Sequence, residues 1–327
     1  MKLRSTVLRA ATAAAFALLL ASCGGESLVA FVPDRVLVFG DQASVITLEP
    51  VASQGKKYTV NAINANGTFN CADNPIWVQI LAASYGIGFP ECPGAIAATA
   101  QAGRILAKVG ATAGGTGEDD LAQQVTRQLA LSVAQGGGIG SNDLVSVLVG
   151  VNDVVAAFER YKAGASPADA ESQVEAAGVA IGTQVNRIVD AGGKVILSSV
   201  PAVSLTPYGR SQDAADLLVL TTLTERLNAK LQVTFINDGR HIGYIQINPY
   251  LFNVVVSPGS YGYVNAQDAV CIPLNVLTCT TNTLATDSGG NAGGALTWLW
   301  ASALQLSPGG HAQLGSLASS RAHNQPF

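Results

Sequence analysis

The feature that most constrains the fold is a series of short apolar runs rich in Val, Ile and Leu. They cover residues 36–39, 144–149, 195–197 and 242–247. The second and third runs show no regular alternation with polar residues, which is typical of strands buried on both faces of a parallel sheet. The sequence therefore predicts a central sheet that is covered on both sides.

Segments with helical periodicity separate these runs, at residues 75–85, 118–133, 168–191 and 213–235. Thr116 is a candidate N-cap for the second segment, with Asp119 three residues later. Four leucines form an apolar stripe along the last segment: Leu220, Leu223, Leu227 and Leu231. The alternation of strands and helices predicts an α/β fold, a three-layer α/β/α sandwich. The glycine clusters at 114–117 and 136–140 lack the Lys-Ser/Thr pair of a phosphate-binding loop and are interpreted as turns.

The first 22 residues have the composition of a bacterial secretory signal. Basic residues precede an apolar stretch at 10–20, and Ala21-Ser22 directly precede Cys23. Small residues before a cysteine match the lipobox of bacterial lipoproteins, in which the cysteine is lipidated and becomes the new N-terminus. The alternatives are an ordinary cleaved signal and a membrane anchor, although the run is shorter than the ~20 residues of a spanning helix. We expect a signal peptide at 1–22, a tether at 23–34, one domain at 35–327, and attachment to the cell envelope, with Gly24 favouring the outer membrane.

The net charge limits the class of partner, and the cysteine content indicates disulfides. Removing residues 1–22 takes away three of the 18 basic residues and none of the 22 acidic ones, which leaves a net charge of −7. This balance disfavours nucleic-acid binding. The remaining cysteines form an even set suited to disulfides in an oxidising compartment, with three possible connectivities, of which the short separations favour Cys71 with Cys92 and Cys271 with Cys279. A zinc site would need Cys-x-x-Cys spacing and nearby histidines, so we expect no metal and no cofactor.

Two strand ends carry motifs. The first run leads into Gly40-Asp41-Gln42, and the second leads into Gly150-Val151-Asn152-Asp153. These blocks resemble the SGNH/GDSL esterases and lipases, whose nucleophilic serine stands where this chain has Gln42. The resemblance implies that Asn152, with Gly150 beside it, supplies an oxyanion donor, and that Asp41 and Asp153 are structural residues near the site.

A further block, Asp73-Asn74-Pro75-Ile76-Trp77, resembles the family's loop in which a glycine donates its backbone N–H to the oxyanion. In that alignment Asn74 stands at the glycine position. The last block runs from Trp300 to His311 and aligns through Trp300, Ala301, Leu306, Pro308 and His311. It places Ser302 at the family's aspartate and Gln305 at its histidine.

The resemblance therefore implies an esterase fold in which all three triad positions are substituted. Gln42 cannot form an acyl-enzyme, Gln305 does not titrate near neutral pH, and Ser302 carries no charge to orient a base. The three polar side chains could hydrogen-bond one another without a buried charge. We interpret the chain as an envelope lipoprotein that binds an acyl, glycan or protein ligand without efficient turnover.

Two other hypotheses remain open at this point. An active carboxylic-ester hydrolase could use Ser44, two residues after Gln42, with His311, although two residues along a helix turn a side chain by about 200° away from the site. A purely structural envelope lipoprotein is the other, and no sequence feature argues for it directly.

Overall fold

The protein forms a five-stranded parallel sheet between two layers of helices. In this computed structural model the described residues are 30–48, 54–94, 97, 100–133, 136–273, 275–286, 290 and 292–327. Cys23, the expected signal peptide and most of the expected tether lie outside them. The described strands are β1 (Arg35–Gly40), β2 (Ala62–Ile63), β3 (Phe69–Asn70), β4 (Arg104–Ile105), β5 (Asp143–Leu148), β6 (Lys194–Ser198), β7 (Ile242–Ile245), β8 (Asn265–Ala269) and β9 (Trp298–Trp300).

The large sheet has the order β4-β1-β5-β6-β7, with every neighbouring pair parallel. Counted along the chain, these strands are arranged second, first, third, fourth and fifth. This is the flavodoxin-like order, whose switch point lies between the first strand and the third. Ligand groups in such sheets collect at the carboxyl ends of the strands on either side of that point, which here are the ends of β1 and β5.

The described helices are α1 (Trp77–Ala83), α2 (Leu121–Leu129), α3 (Val151–Lys162), α4 (Pro167–Asp190), α5 (Pro207–Arg210), α6 (Ala214–Thr234), α7 (Asn248–Val256) and α8 (Pro308–Asn324). Leu37 and Phe39 of β1 pack with α2, α3, α4 and α6 on one face of the sheet. Val36 and Val38 pack with α1, α7 and α8 on the other face. The three-layer α/β/α architecture predicted from the sequence is therefore confirmed. No helix of the described residues combines the length and the apolar character needed to cross a bilayer.

All four predicted strands are confirmed, and the leucine stripe of α6 is buried against α4. The predicted second helix is shorter than expected, because α2 covers only Leu121–Leu129. Its N-cap is Asp120 rather than Thr116. The Asp120 carboxylate instead accepts hydrogen bonds from the Thr112 and Gly117 backbone N–H groups, so it fixes the loop ahead of the helix.

Both disulfides predicted from the short cysteine separations are present. Cys71 is bonded to Cys92, and Cys271 is bonded to Cys279. Cys279 lies in a third, smaller apolar cluster with Val60, Val270 and Trp298, next to the parallel pair β8 and β9. The second disulfide closes a short loop after β8, and the Cys271 N–H donates to the Ala301 carbonyl oxygen of the last sequence block at 3.0 Å.

Candidate active site

The turn after β1 is fixed by a glycine that admits no side chain. Gly40 has φ +134°, and a Cβ built on it would lie 1.9 Å from the Leu148 carbonyl oxygen of β5. The Gln124 carboxamide accepts from the Gly40 N–H and donates to its carbonyl oxygen, both at 2.9 Å. The ends of β1 and β5 are thereby held in close contact, which places residues 41 and 42 beside the start of α3.

Asp41 is a buried carboxyl group at this turn. Its Oδ1 accepts a hydrogen bond from the Ala43 N–H at 3.0 Å and caps the short 3₁₀ helix Gln42–Ser44. Its Oδ2 is buried and has no hydrogen-bond partner among the described residues. Burial raises the pKa of Asp41 to about 7, and the nearby charge of Asp153 acts in the same direction. Asp41 therefore shapes the turn and carries a proton at mildly acidic pH.

Gln42 forms a reciprocal pair of hydrogen bonds with Asn152. The Gln42 Nε2 donates to Asn152 Oδ1 at 3.1 Å, and the Asn152 Nδ2 donates to Gln42 Oε1 at 3.0 Å. A second donor, the Gly110 backbone N–H, reaches the same Gln42 oxygen at 3.1 Å. Asn152 Nδ2 also donates to the Ala111 carbonyl oxygen at 2.8 Å. One amide oxygen of the protein thus lies between two N–H donors, which is the geometry of an occupied oxyanion hole.

The glycine donor of this site is Gly110, and the assignment of that role to Asn74 is wrong. Gly110 follows β4, and the two residues of β4 are too few to be recognised by periodicity. No described hydrogen bond joins Asn74 to Gln42 or Asn152. Its carbonyl oxygen instead accepts from the Lys57 ammonium at 2.9 Å, and its side chain donates to the Val60 carbonyl oxygen.

The loop that carries Gly110 is tied to α3 by Asp153. The two carboxylate oxygens of Asp153 accept from the backbone N–H groups of Ala113 and Gly114, at 2.8 and 2.9 Å. Burial raises the pKa of Asp153, while these hydrogen bonds favour its ionised form. Gly150 begins α3 with φ +128°, and a Cβ there would lie 2.6 Å from Val200. In the described hydrogen bonds Gly150 shapes the turn and contributes no donor to Gln42.

The last sequence block places Gln305 beside Gln42, in a cavity that Ser302 does not line. Gln42, Gln305 and Asp41 line one cavity of about 20 Å³, with Trp300 and Leu304 among its apolar walls. This volume holds about one water molecule. Ser302 does not line it, and its described contact is a backbone hydrogen bond from its N–H to the Gln305 carbonyl oxygen at 3.3 Å. The expected hydrogen bonds among the side chains of the three substituted positions are absent from the described residues, because Gln42 is bonded to Asn152 and Gly110.

Ser44 and His311 each accept a hydrogen bond from Trp77 in the core. The Ser44 hydroxyl accepts from the Trp77 indole N–H at 3.1 Å, and His311 Nδ1 accepts from the Trp77 backbone N–H at 3.4 Å. No described hydrogen bond joins the serine to the histidine, and both are fully buried. Burial lowers the pKa of His311 to about 3, and the Lys57 charge adds to the effect. The alternative Ser44/His311 catalytic pair is therefore a pair of core residues in this structure.

Lys57 is a buried cation that sequence reasoning did not identify. Its ammonium donates to the carbonyl oxygens of Cys71, Asp73 and Asn74, at 2.8–2.9 Å, and burial lowers its pKa to about 7. It holds together the segment between the first disulfide and α1. Among the residues that the structure describes, no group of three or more His, Cys, Asp or Glu side chains could bind a metal ion.

No family model and no curated protein sequence matches this chain. The similar solved structures include an acetylxylan esterase from Geobacillus stearothermophilus, at 14% identity over 91% of this chain and 98% of the other, with a TM-score of 0.41. They also include a member of the lipolytic G-D-S-L family from Veillonella parvula, at 12% identity over 88% of this chain and 95% of the other, with a TM-score of 0.36. An extracellular lipase from Streptomyces rimosus is 15% identical over 78% of this chain and 95% of the other, with a TM-score of 0.38. The three-layer α/β/α sandwich and its sheet order agree with the resemblance of the sequence blocks to the SGNH/GDSL hydrolases.

The site brings together the turn at Asp41 and two N–H donors, the Asn152 side chain and the Gly110 backbone. In the alignment with the SGNH/GDSL hydrolases, the positions of nucleophile and base carry the carboxamides of Gln42 and Gln305. Gly110 was missed because its strand is short, although it follows the apolar residues Ile105-Leu106-Ala107 and precedes the glycine cluster at 114–117. The position of Gly110 between these two segments was the sequence signal that could have identified it.

Proposed function

We propose that this chain is a non-hydrolytic protein of the cell envelope built on the SGNH/GDSL fold. The observation that carries the proposal is the position of the Gln42 carboxamide oxygen, which accepts hydrogen bonds from Gly110 and Asn152. A substrate ester would present its carbonyl oxygen to these same donors. Because the protein's own amide oxygen is already there, an ester carbonyl must displace it before it can be polarised.

Displacement alone would not give turnover, because the site lacks a nucleophile and a base. An amide is a poor nucleophile, and Gln305 accepts no proton near neutral pH. The nearest hydroxyl and imidazole along the sequence, Ser44 and His311, are held by Trp77 in the core. An oxyanion hole and binding without a triad accelerate acyl transfer by roughly 10³-fold over water, far below an enzyme's rate.

A ligand of this site would have to carry an oxygen acceptor. The cavity beside Gln42 holds about one water molecule, so an acyl or glycan ligand could enter only if the Gln42 side chain rotates out. A carboxylate or carbonyl oxygen would then replace Gln42 Oε1 between the same two donors. The proposed activity is thus reversible binding of an acyl or glycan ligand, or of a protein, without bond cleavage.

The envelope location is a separate part of the proposal and rests on the N-terminal sequence. Lipidation of Cys23 would anchor the chain to a membrane, and the disulfides Cys71–Cys92 and Cys271–Cys279 suit an oxidising compartment. Metabolic labelling with a radioactive fatty acid tests it. We expect label in the wild-type chain and none in Cys23→Ser, and an unlabelled wild-type chain would exclude the anchor.

Hydrolysis of 4-nitrophenyl acetate and butyrate by the purified chain tests the absence of catalysis. We expect rates indistinguishable from those of Ser44→Ala and of buffer with an inert protein. The Ser44→Ala variant is the matched control, because it removes the only hydroxyl close to Gln42 in the turn. Turnover by the wild-type chain that Ser44→Ala abolishes would contradict the proposal.

A further inference from the structure

The edge strand β7 borders a groove that no described part of the chain fills. Its volume is about 760 Å³, within the roughly 300–1,000 Å³ typical of ligand sites. The end of α6 forms one wall and α8 forms the other, with β7 between them. We refer to this space, lined by Gln232, Ile242, Tyr244, Gln246 and Arg321 among others, as the β7 groove. It shares no lining residue with the Gln42 cavity.

The backbone of β7 presents unused hydrogen-bonding groups to the groove. The carbonyl oxygens of His241 and Ile245 accept from Val195 and Ser199, at 2.9 and 2.8 Å, so these odd-numbered residues face β6. Because backbone groups alternate in direction along a strand, the N–H and C=O groups of Ile242 and Tyr244 point the other way. Neither residue's outward backbone groups form a hydrogen bond with any other described residue.

At the opposite edge of the sheet, other segments of the chain form hydrogen bonds beside the edge strand β4. Beside β4, the Gly103 N–H donates to the Gly88 carbonyl oxygen at 2.9 Å, and the Gly88 N–H donates to Ala100 at 2.9 Å. The chain therefore supplies its own partners along that edge. An exposed edge strand is a template for pairing with another segment, and proteins generally cover or shorten such edges.

Charge identifies the kind of segment that fits. Arg321 is the only charged residue lining the groove, and its guanidinium makes no ion pair or hydrogen bond with the described residues. Its aliphatic stem crosses β7 at Gly243, where an added Cβ would lie 2.7 Å from Arg321 Cγ. Asp238, in the loop between α6 and β7, is already bonded to His241 Nδ1 at 2.6 Å. An unpaired cation beside free strand donors and acceptors calls for an anionic, extended partner.

We propose that the β7 groove binds an extended peptide that carries a carboxylate. The peptide pairs with the backbone of Ile242 and Tyr244 as a sixth strand of the sheet, and its carboxylate binds Arg321. The carboxamides of Gln232 and Gln246 line the groove, form no hydrogen bond with described residues, and are further donors and acceptors for the added strand. A second copy of this chain fits less well, since two-fold pairing of β7 brings two unpaired Arg321 side chains into one interface.

An array of random octapeptides with free C-terminal carboxylates, probed with the full chain, tests this proposal. We expect a subset to bind, and we expect Tyr244→Pro, which removes the outward N–H, to weaken binding about tenfold or more. Tyr244→Ala is the matched control, because it removes the ring and keeps the N–H, and we expect it to weaken binding less than Tyr244→Pro. Arg321→Gln should weaken binding of acidic peptides about fivefold or more and remove its salt dependence.

Hydrogen exchange keeps the test decisive if Tyr244→Pro fails to fold. In the wild-type chain, a saturating peptide from the array should slow exchange of the Ile242 and Tyr244 amides and leave that of Gly110 unchanged. The proposal is overturned if no peptide binds, if bound peptides leave both amides unprotected, or if Tyr244→Pro binds as well as Tyr244→Ala. A concentration-dependent dimer that protects the same amides would assign the groove to a second copy instead. These outcomes are independent of any esterase assay.

Discussion

At the scale of single residues, the central feature is a set of hydrogen bonds among uncharged groups. The Gln42 carboxamide oxygen accepts from both Asn152 and Gly110, so these two donors are paired without a charged acceptor. Unpaired buried donors are costly, which makes this arrangement favourable for folding. Under the proposed function, a glutamine at the position of the family's serine supplies no nucleophile and also fills the space where a substrate oxygen would bind.

Gln42→Ala tests how much the hydrogen bonds of the Gln42 carboxamide contribute to the free energy of unfolding. Removing the carboxamide leaves the Gly110 N–H and one Asn152 N–H without their acceptor, so we expect a loss of about 1–3 kcal/mol in the free energy of unfolding. Urea denaturation measures it. Gln305→Ala is the matched control, since Gln305 lines the same cavity and its side chain forms no described hydrogen bond. Equal losses in the two variants would contradict the role assigned to Gln42.

His311 should make stability sensitive to acid. Its pKa is lowered from an ordinary 6.5 to about 3 in the folded chain, so only the unfolded chain takes up this proton as the pH falls below about 6.5. The stability conferred by neutral His311 is present above that pH and is lost progressively toward pH 3.

We expect that His311→Gln, compared with the wild-type chain, loses about 2–3 kcal/mol less stability between pH 6.5 and pH 4.5. Urea midpoints at the two pH values measure this difference, and carboxylates common to both proteins cancel in the comparison. His323→Gln serves as the control because His323 is exposed. A wild-type slope in His311→Gln would show that His311 is not the group responsible.

At the scale of elements, the sheet and its covering helices could be predicted from hydrophobic periodicity. The site also depends on short segments that show no such periodicity. The buried runs that became β1 and β5 could be predicted, and so could the turns at Asp41 and Asn152, because parallel strands end at one edge. Gly110 could not be assigned, because β4 has two residues and owes its place to pairing with β1. Lys57 was missed for a related reason: buried lysines are rare, and its three carbonyl partners come from a loop without periodicity.

The contact between α4 and α6 offers a test at this scale. A Cβ added to Gly178 would lie 2.3 Å from the Leu227 carbonyl oxygen, so the two helix backbones approach closely there. We expect Gly178→Ala to destabilise the fold by about 2–4 kcal/mol despite alanine's better helix propensity. Val179→Ala, at the next position and 43% exposed, should change stability by less than about 0.5 kcal/mol. Thermal unfolding of both variants decides between close packing and a tolerant interface.

At the scale of the whole molecule, two disulfides close loops of different length and should contribute differently to stability. Cys71–Cys92 closes a loop of 21 residues and Cys271–Cys279 a loop of 8. On loop-closure grounds we expect Cys71→Ser/Cys92→Ser to cost roughly 3 kcal/mol and Cys271→Ser/Cys279→Ser somewhat less. Urea denaturation of each double variant measures the losses. A larger loss from the shorter loop would point to packing in the Trp298 cluster rather than chain entropy.

Under the proposed function, the molecule keeps the frame of an ester hydrolase and lacks its reacting groups at the three aligned positions, Gln42, Ser302 and Gln305. Substitution of the three positions to the family's residues, Gln42→Ser, Ser302→Asp and Gln305→His, should free the Gly110 and Asn152 donors and supply nucleophile, orienting charge and base together. Ser302 lies next to Gln305 through their backbone contact, so the introduced carboxylate and imidazole belong to one turn.

The most direct test is hydrolysis of 4-nitrophenyl acetate by the wild-type chain and this triple variant, measured side by side. We predict no turnover above background for the wild-type chain and measurable turnover for the triple variant. Turnover by the wild-type chain, lost in Ser44→Ala and unchanged by Gln42→Ala, would contradict the account.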